Sequence, residues 1–188
     1  MIEITNKQIE RVNLILSAVP GGAEKALSSV IKRATSTVKT KSTKAVSEVY
    51  AISQKDIRAE SNITVKTQMA DGGVVGTVRY AGHAIPLYRF NVSPKRPAYH
   101  EQVTAAVKRN STPTALIHAF TAQMKSGHIG IFERDTRPRL PVSEKYGPSV
   151  PGMAGNLEIV EQVEEAAQET IEKRLEHEIE RILNGYGK

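Results

Sequence analysis

Apolar residues recur at three- and four-residue steps near both ends of this 188-residue chain and alternate with polar ones through its middle. Those two periods predict amphipathic helices at the ends and half-buried strands between them. Near the start, Ile9, Val12, Leu14, Ile15 and Leu16 give one side of a short helix, capped by Thr5 or Asn6 and running to about Ala18. The Val-Pro-Gly-Gly at 19–22 ends it, since proline and paired glycines oppose continuation. A long helix is predicted next, from Ala23 to about Tyr50, despite nine serines and threonines between Ser28 and Ser47. Such residues are mediocre in helix interiors, but here periodicity prevails. Leu27, Ile31, Ala34, Val38, Ala45, Val49 and Ile52 fall within about a 60° stripe, with Lys25, Lys32, Arg33, Lys39 and Lys44 towards the other side. Ser53-Gln-Lys-Asp56 has capping-box spacing and opens a further turn of helix to about Glu60.

From Asn62 the period changes to two: Ile63, Val65, Thr67 and Met69 alternate with Thr64, Lys66 and Gln68. Ala-Asp-Gly-Gly at 70–73 then supplies a hairpin turn into Val74–Gly82. A third extended piece, Ala84–Val92, is interrupted by Pro86. Tyr99–Asn110 and Thr114–Met124 read as two further strands, and Gly127–Asp135 as a short last one. Four prolines with Gly147 and Gly152 make 136–152 a stiff strap, constrained but without regular structure. The closing helix runs from about Asn156, its cap, to Leu183, with Val160, Val163, Ala167, Ile171, Leu175, Ile179 and Ile182 on one face and Gly185 beyond its end. The expected fold is α+β. N-terminal helices, one of them long and amphipathic, pack on a mainly antiparallel sheet of four to six strands, followed by the Pro-rich strap and the C-terminal amphipathic helix. In domain terms, residues 1–149 form a body with helices at about 5–60, the sheet at about 62–134 and the strap at about 136–152. Residues 150–188 form a helix belonging to the same unit or docking on another subunit.

Charge sharpens that division. Residues 1–149 hold 22 Lys+Arg against 11 Asp+Glu, or +11, while residues 150–188 hold 4 against 9, or −5. A basic body points to a polyanion or acidic partner, and an acidic helix to solvent or a basic neighbour. With no cysteine, thiolate zinc sites, disulfides and a cysteine nucleophile are excluded. A reducing compartment suits such a chain. Neither a signal peptide nor an apolar run near the roughly 20 residues of a membrane span is present, so a soluble, unexported protein without membrane association is expected. Aromatics are 5% and tryptophan is absent, which disfavours single-strand binding by base stacking.

Candidate chemistry is sparse. His83, His100, His118, His128 and His177 have neither HExxH nor i, i+4 spacing, so no metal site is expected. His128 with Asp135 as its orienting acid suggests a general base, and with Arg137 a hydrolase or nuclease. Alternation along a strand, however, points His128 and Asp135 different ways, and a hydrogen-bonded strand histidine is the simpler reading. Arg134, Arg137 and Arg139 stand near prolines, able to grip carboxylates or phosphates, or simply to face water. Together with the lysine face of the long helix (Lys25, Lys32, Arg33, Lys39, Lys44) they make DNA or an acidic protein a candidate partner.

Several stretches together form a signature: Lys55-Asp-Ile-Arg58 behind the Ser/Thr/Lys-rich helix, Ile85-Pro-Leu-Tyr-Arg-Phe90, Ser126-Gly-His-Ile-Gly-Ile-Phe132, and Arg139-Leu-Pro-Val-Ser-Glu-Lys-Tyr-Gly-Pro-Ser-Val-Pro151. Their order and spacing resemble the minor tail protein Z family of long-tailed bacteriophages and prophages across nearly the whole chain. The resemblance implies a structural virion protein with no enzymatic activity or cofactor. It would be a tail completion component at the head-proximal end, in the neck region, assembled in the host cytoplasm. Implied partners are the tail terminator, the tail tube and the head–tail connector. The +11/−5 division adds the expectation of a homo-oligomeric ring in which the basic body of one copy meets the acidic helix of the next, six copies being the natural number where a tail tube ends. The implied contact segment comprises Ser126, Gly127, His128, Gly130 and Phe132, then Arg139, Leu140, Pro141, Tyr146, Gly147, Pro148, Ser149, Val150 and Pro151. Physically, prolines lower the entropy lost on docking and Tyr146 is an amphipathic anchor. The strap is equally able to tie helix to sheet within the chain through Leu140, Val142 and Val150.

Overall fold

The computed structural model describes residues 4, 6–70, 73–97, 101–138 and 140–185. Thr5, the Asp71–Gly72 turn, His100 and Arg139 lie outside the described residues, as do the side chains of Asn6 and Met69. The fold is α+β, in the order α1 (Asn6–Ile15), α2 (Gly22–Val49), α3 (Gln54–Ala59), β1 (Asn62–Ala70), β2 (Gly73–Ala81), β3 (Ala84–Pro86), a 3-10 turn (Leu87–Arg89), β4 (Asn91–Ser93), β5 (Val103–Ala106), β6 (Thr114–Leu116), β7 (Ala119–Gln123), β8 (Ile129–Arg134), β9 (Val142–Glu144), β10 (Tyr146–Ser149), α4 (Val150–Ala154) and α5 (Leu157–Leu183). The chain divides into two compact units. Residues 1–42, 63–79 and 157–188 make one, and residues 43–62 and 80–156 the other.

The first unit is a helix core. Val12 and Leu16 of the first helical segment, Ala26, Leu27, Val30 and Ala34 of α2, and Ile171, Leu175, Ile179 and Ile182 of α5 are buried together. Leu14, expected on this side, is 77% exposed, and Ile159 is buried where Val160 was expected. The long helix therefore packs mainly on other helices rather than on a broad sheet. The β1–β2 pair approaches it closely enough that a Cβ on Gly76 would lie 2.6 Å from both Ile31 and Thr35 side chains. Hydroxyls that trouble a helix in isolation are satisfied here: Thr35 donates to the Ile31 carbonyl at 2.8 Å and Ser42 to the Lys39 carbonyl at 3.1 Å. Between α2 and α5, Ser29 donates to Glu178 at 2.9 Å and Arg181 to the same carboxylate at 2.8 Å. Burial opposes the charge on Glu178, but these hydrogen bonds and the Arg181 charge hold its carboxyl below the ordinary glutamate value.

In the second unit the strands are spread over several small antiparallel sheets instead of one sheet of four to six strands. Thr114–Met124 is not one strand: it turns at Ile117–His118, so that β6 pairs with β5 while β7 pairs with β8. Ala84–Val92 likewise breaks after Pro86 into the 3-10 turn. The strap departs most from expectation. It holds β9, antiparallel to β8 (Phe132↔Glu144, Arg134↔Val142), then β10, antiparallel to β3, then α4. Proline still permits this: Pro151 occupies the first turn of α4, and the Ser149 side chain accepts from Gly152 N. The Ser53 cap forms as its spacing predicts, accepting from Asp56 N at 3.1 Å.

Removing the Glu178 carboxylate should destabilise the protein. Glu178→Ala leaves Arg181 and Ser29 without their shared acceptor, an expected loss of about 2–3 kcal/mol in urea unfolding. Because the folded carboxyl titrates below its ordinary 4.5, its stabilisation is complete above that value and is lost as pH falls through the lower folded one. The stability gap between wild type and Glu178→Gln should accordingly narrow between about pH 7 and pH 3; a gap independent of pH would contradict this account.

Candidate functional site

The β7–β8 hairpin turns at Ser126-Gly127-His128. Gly127 takes φ 86°, the left-handed region where a side chain is strained, and the turn is closed by Gly127 N to Met124 O at 2.9 Å and Met124 N to His128 O at 2.8 Å. Alternation then sends His128, Gly130, Phe132 and Arg134 to one face. On that face Phe132 stacks edge-on to His128 (ring centroids 6.2 Å) and tilted to Phe120 (6.3 Å), and the Arg134 guanidinium lies 5.1 Å from the Phe120 ring centre.

Glu144, opposite Phe132 on β9, ties the surface together. One carboxylate oxygen lies 2.8 Å from His128 Nε2, and the other accepts the Tyr146 hydroxyl at 3.1 Å. His128 therefore meets Glu144 and not Asp135, whose carboxylate accepts from Ser143 at 2.5 Å. The His128–Asp135 pair required for a general base does not form: seven residues apart, the two fall on opposite faces by alternation, and Asp135, bonded through its N–H to Pro141 O, lies diagonally across from Ser143, which faces Glu133. The bond to Glu144, helped by that group's negative charge and by slight desolvation, pushes the Tyr146 phenol above its ordinary 10.0. Gly130 leaves the space the carboxylate fills: a Cβ there would lie 2.5 Å from Glu144 Oε1 and 3.0 Å from the Phe132 ring.

The surface rests on a frame built from the other signature pieces. Phe90, 1% exposed, lies so close under Gly147 that a Cβ on the glycine would come within 2.6 Å of its ring. Leu87 N donates to Lys145 O at 2.8 Å, and Arg89 pairs with Asp56 at 3.1 Å and Glu60 at 3.5 Å. Lys95 donates to the Tyr88 and Phe90 carbonyls at 2.7 and 2.8 Å with its ammonium 4.8 Å from the Tyr88 ring centre. Desolvation lowers the Lys95 ammonium below its usual range, Asp56 opposing and Arg89 adding to the effect. On β8 and beside it, Glu133 and Lys145 form an ion pair.

The expected contact residues thus divide. Tyr146 (54% exposed), Leu140 (69% exposed), His128, Ser126 and Pro141 reach solvent. Gly130, Phe132 and Val150 are buried, and Gly147, Pro148, Ser149 and Pro151 are partly so, forming the support beneath. Of the three residues by which the strap was expected to tie into the core, Val150 is buried, Val142 is half-buried and Leu140 is not buried at all. Glu144 and Phe120 escaped the sequence reading; the only signal for Glu144 is that it lies two residues before Tyr146 in extended chain. Lys25, Lys32, Arg33, Lys39, Lys44, Arg134 and Arg137 are all exposed, Lys44 pairing with Glu48 at 3.6 Å. Among the described residues no group of three or more His, Cys, Asp or Glu is arranged to hold a metal ion, and no helix is long and apolar enough to cross a membrane.

The kind of protein that carries this aromatic, carboxylate-braced surface is given by its sequence as a whole. The prophage minor tail protein Z family matches residues 6–187, and the chain belongs to that family. It is a structural component of the phage tail, located in the virion tail and interacting with other tail proteins. No curated protein and no solved structure matches it significantly.

Two glycine substitutions should separate surface from support. Gly147→Ala drives a methyl into the buried Phe90 ring, with an expected loss of about 1–3 kcal/mol in thermal or urea unfolding. Gly130→Ala meets the mobile end of Glu144 instead, so it should cost less stability while displacing the carboxylate. Ultraviolet titration, with Tyr146→Phe as the reference, should then show the Tyr146 phenol falling back towards 10.0 in both Gly130→Ala and Glu144→Gln. An unchanged titration would show that Glu144 does not hold this hydroxyl in solution.

Proposed function

We propose that this protein completes the tail at its head-proximal end, in the neck of the particle, after assembly in the host cytoplasm. It works there by binding rather than by catalysis and without a cofactor, several copies forming a ring against the tail terminator, tail tube and head–tail connector. Membership of the tail protein family supports the setting. The observation that carries the mode of action is the Glu144 carboxylate fixing both His128 and Tyr146 at the surface. A tyrosine and a histidine immobilised before contact lose little entropy on docking, as do prolines in the adjoining strap. Tyrosine and arginine are also the side chains that dominate binding energy at interfaces. Ser126, His128, Leu140, Pro141 and Tyr146 are the proposed contacts, with Arg139 assigned to them from its place in the signature.

Particles made without the protein should show tails of normal length in electron micrographs yet fail to infect. Supplying the wild-type chain should restore infectivity. Tyr146→Ala, folded by circular dichroism, should restore it on the order of tenfold or more less well, as loss of an interface hot spot implies. Tails of abnormal length in the deletion would place the protein at another stage of tail building.

A further inference from the structure

The assembly surface lies in the second unit and leaves unexplained the two oppositely charged helices of the first. On α2, Lys25, Lys32 and Lys39 are exposed and recur every seven residues, covering roughly 21 Å of helix within about 40° of one another. On α5, Glu158, Glu165 and Glu172 are exposed at the same seven-residue step and over the same length. Within a chain the two helices meet through other positions, their buried apolar rows and the Ser29–Glu178 and Thr37–Thr170 contacts. Both charged rows face outward.

The acidic row carries a cost within one chain. Residues 157–172 contain six glutamates and no Lys, Arg or His, and like charges three and four residues apart destabilise a helix. Lys173 pairs with Glu169, which also feels Lys41 of α2, and Arg11 pairs with Glu176. Glu161 and Glu165 have no ion-pair partner among the described residues. A second copy supplies a row of lysines with the same period, on an element of the same shape.

We propose that the Lys25–Lys32–Lys39 row of α2 docks on the Glu158–Glu165–Glu172 row of α5 of a second copy, the contact that links copies of this chain to one another. This rests on the assembly reading given above and supplies its subunit-to-subunit contact. Charge pairing of this kind sets register and association rate more than raw affinity, so the contact is salt-sensitive.

Sedimentation of the full-length protein tests it. Association is expected at about 50 mM salt and its loss at about 500 mM. Lys25→Glu/Lys32→Glu/Lys39→Glu and Glu158→Lys/Glu165→Lys/Glu172→Lys should each weaken association on the order of tenfold or more. An equimolar mixture of the two should associate again, because each then offers the other a complementary row; misfolded variants would not recover on mixing. Lys32→Gln and Glu165→Gln provide milder versions whose melting temperature can be checked. A protein that stays monomeric at 50 mM salt, or variants that do not rescue one another, would overturn the proposal. So would duplex DNA binding lost with the lysine row in a protein that does not self-associate. A monomeric protein that still restores infectivity removes this contact alone, while an associating protein whose absence leaves infectivity unchanged removes the tail-completion reading alone.

Discussion

The second unit depends on one close approach, the Phe90 ring lying against the bare backbone of Gly147. Those residues are far apart in sequence, and bringing them together costs loop-closure entropy that local structure cannot recover. Several interactions converge on the same place to offset it. The β3–β10 pairing runs alongside, Leu87 N bonds Lys145 O, and Lys95 fastens the carbonyls of the turn that carries Phe90. Arg89, next to Phe90, reaches back to Asp56 and Glu60 on and beside α3. Three separated pieces of sequence thereby become one frame, and it is on this frame that β9 and β10 present Glu144 and Tyr146. A glycine is required at 147 by volume and not by backbone angle, since any Cβ would enter the space the ring occupies.

What could be read from the sequence follows the range over which each signal acts. Helices α2 and α5 are legible to within a residue or so because their apolar periods extend over many turns. The Ser53 cap is legible because its partner is three residues away. The strap was misread because its regular structure is borrowed: β9 exists by pairing with β8 and β10 by pairing with β3, and nothing local in Val142–Ser149 announces either partner. For the same reason Thr114–Met124 looked like one strand, although its two halves belong to different sheets.

The candidate site shows the same division. Its tyrosine, histidine and glycines stood out as a signature, but the residue that organises them did not. Glu144 looks like any solvated glutamate in sequence. Only the register Phe132↔Glu144 brings its carboxylate between His128 and Tyr146, and only Gly130 leaves it room. The His128–Asp135 pair is lost to the same geometry, since the Asp135 carboxylate accepts from Ser143.

Charge adds a constraint that packing does not. A carboxylate holding a phenol and an imidazole, in contact with a phenylalanine pair capped by Arg134, costs more to arrange than a merely solvated surface of the same area, because each polar group must give up freedom and some hydration. The side chains it fixes are partly exposed and amphipathic, with both apolar area and an oriented polar tip. Apolar area beside an oriented polar tip is the composition that protein interfaces favour.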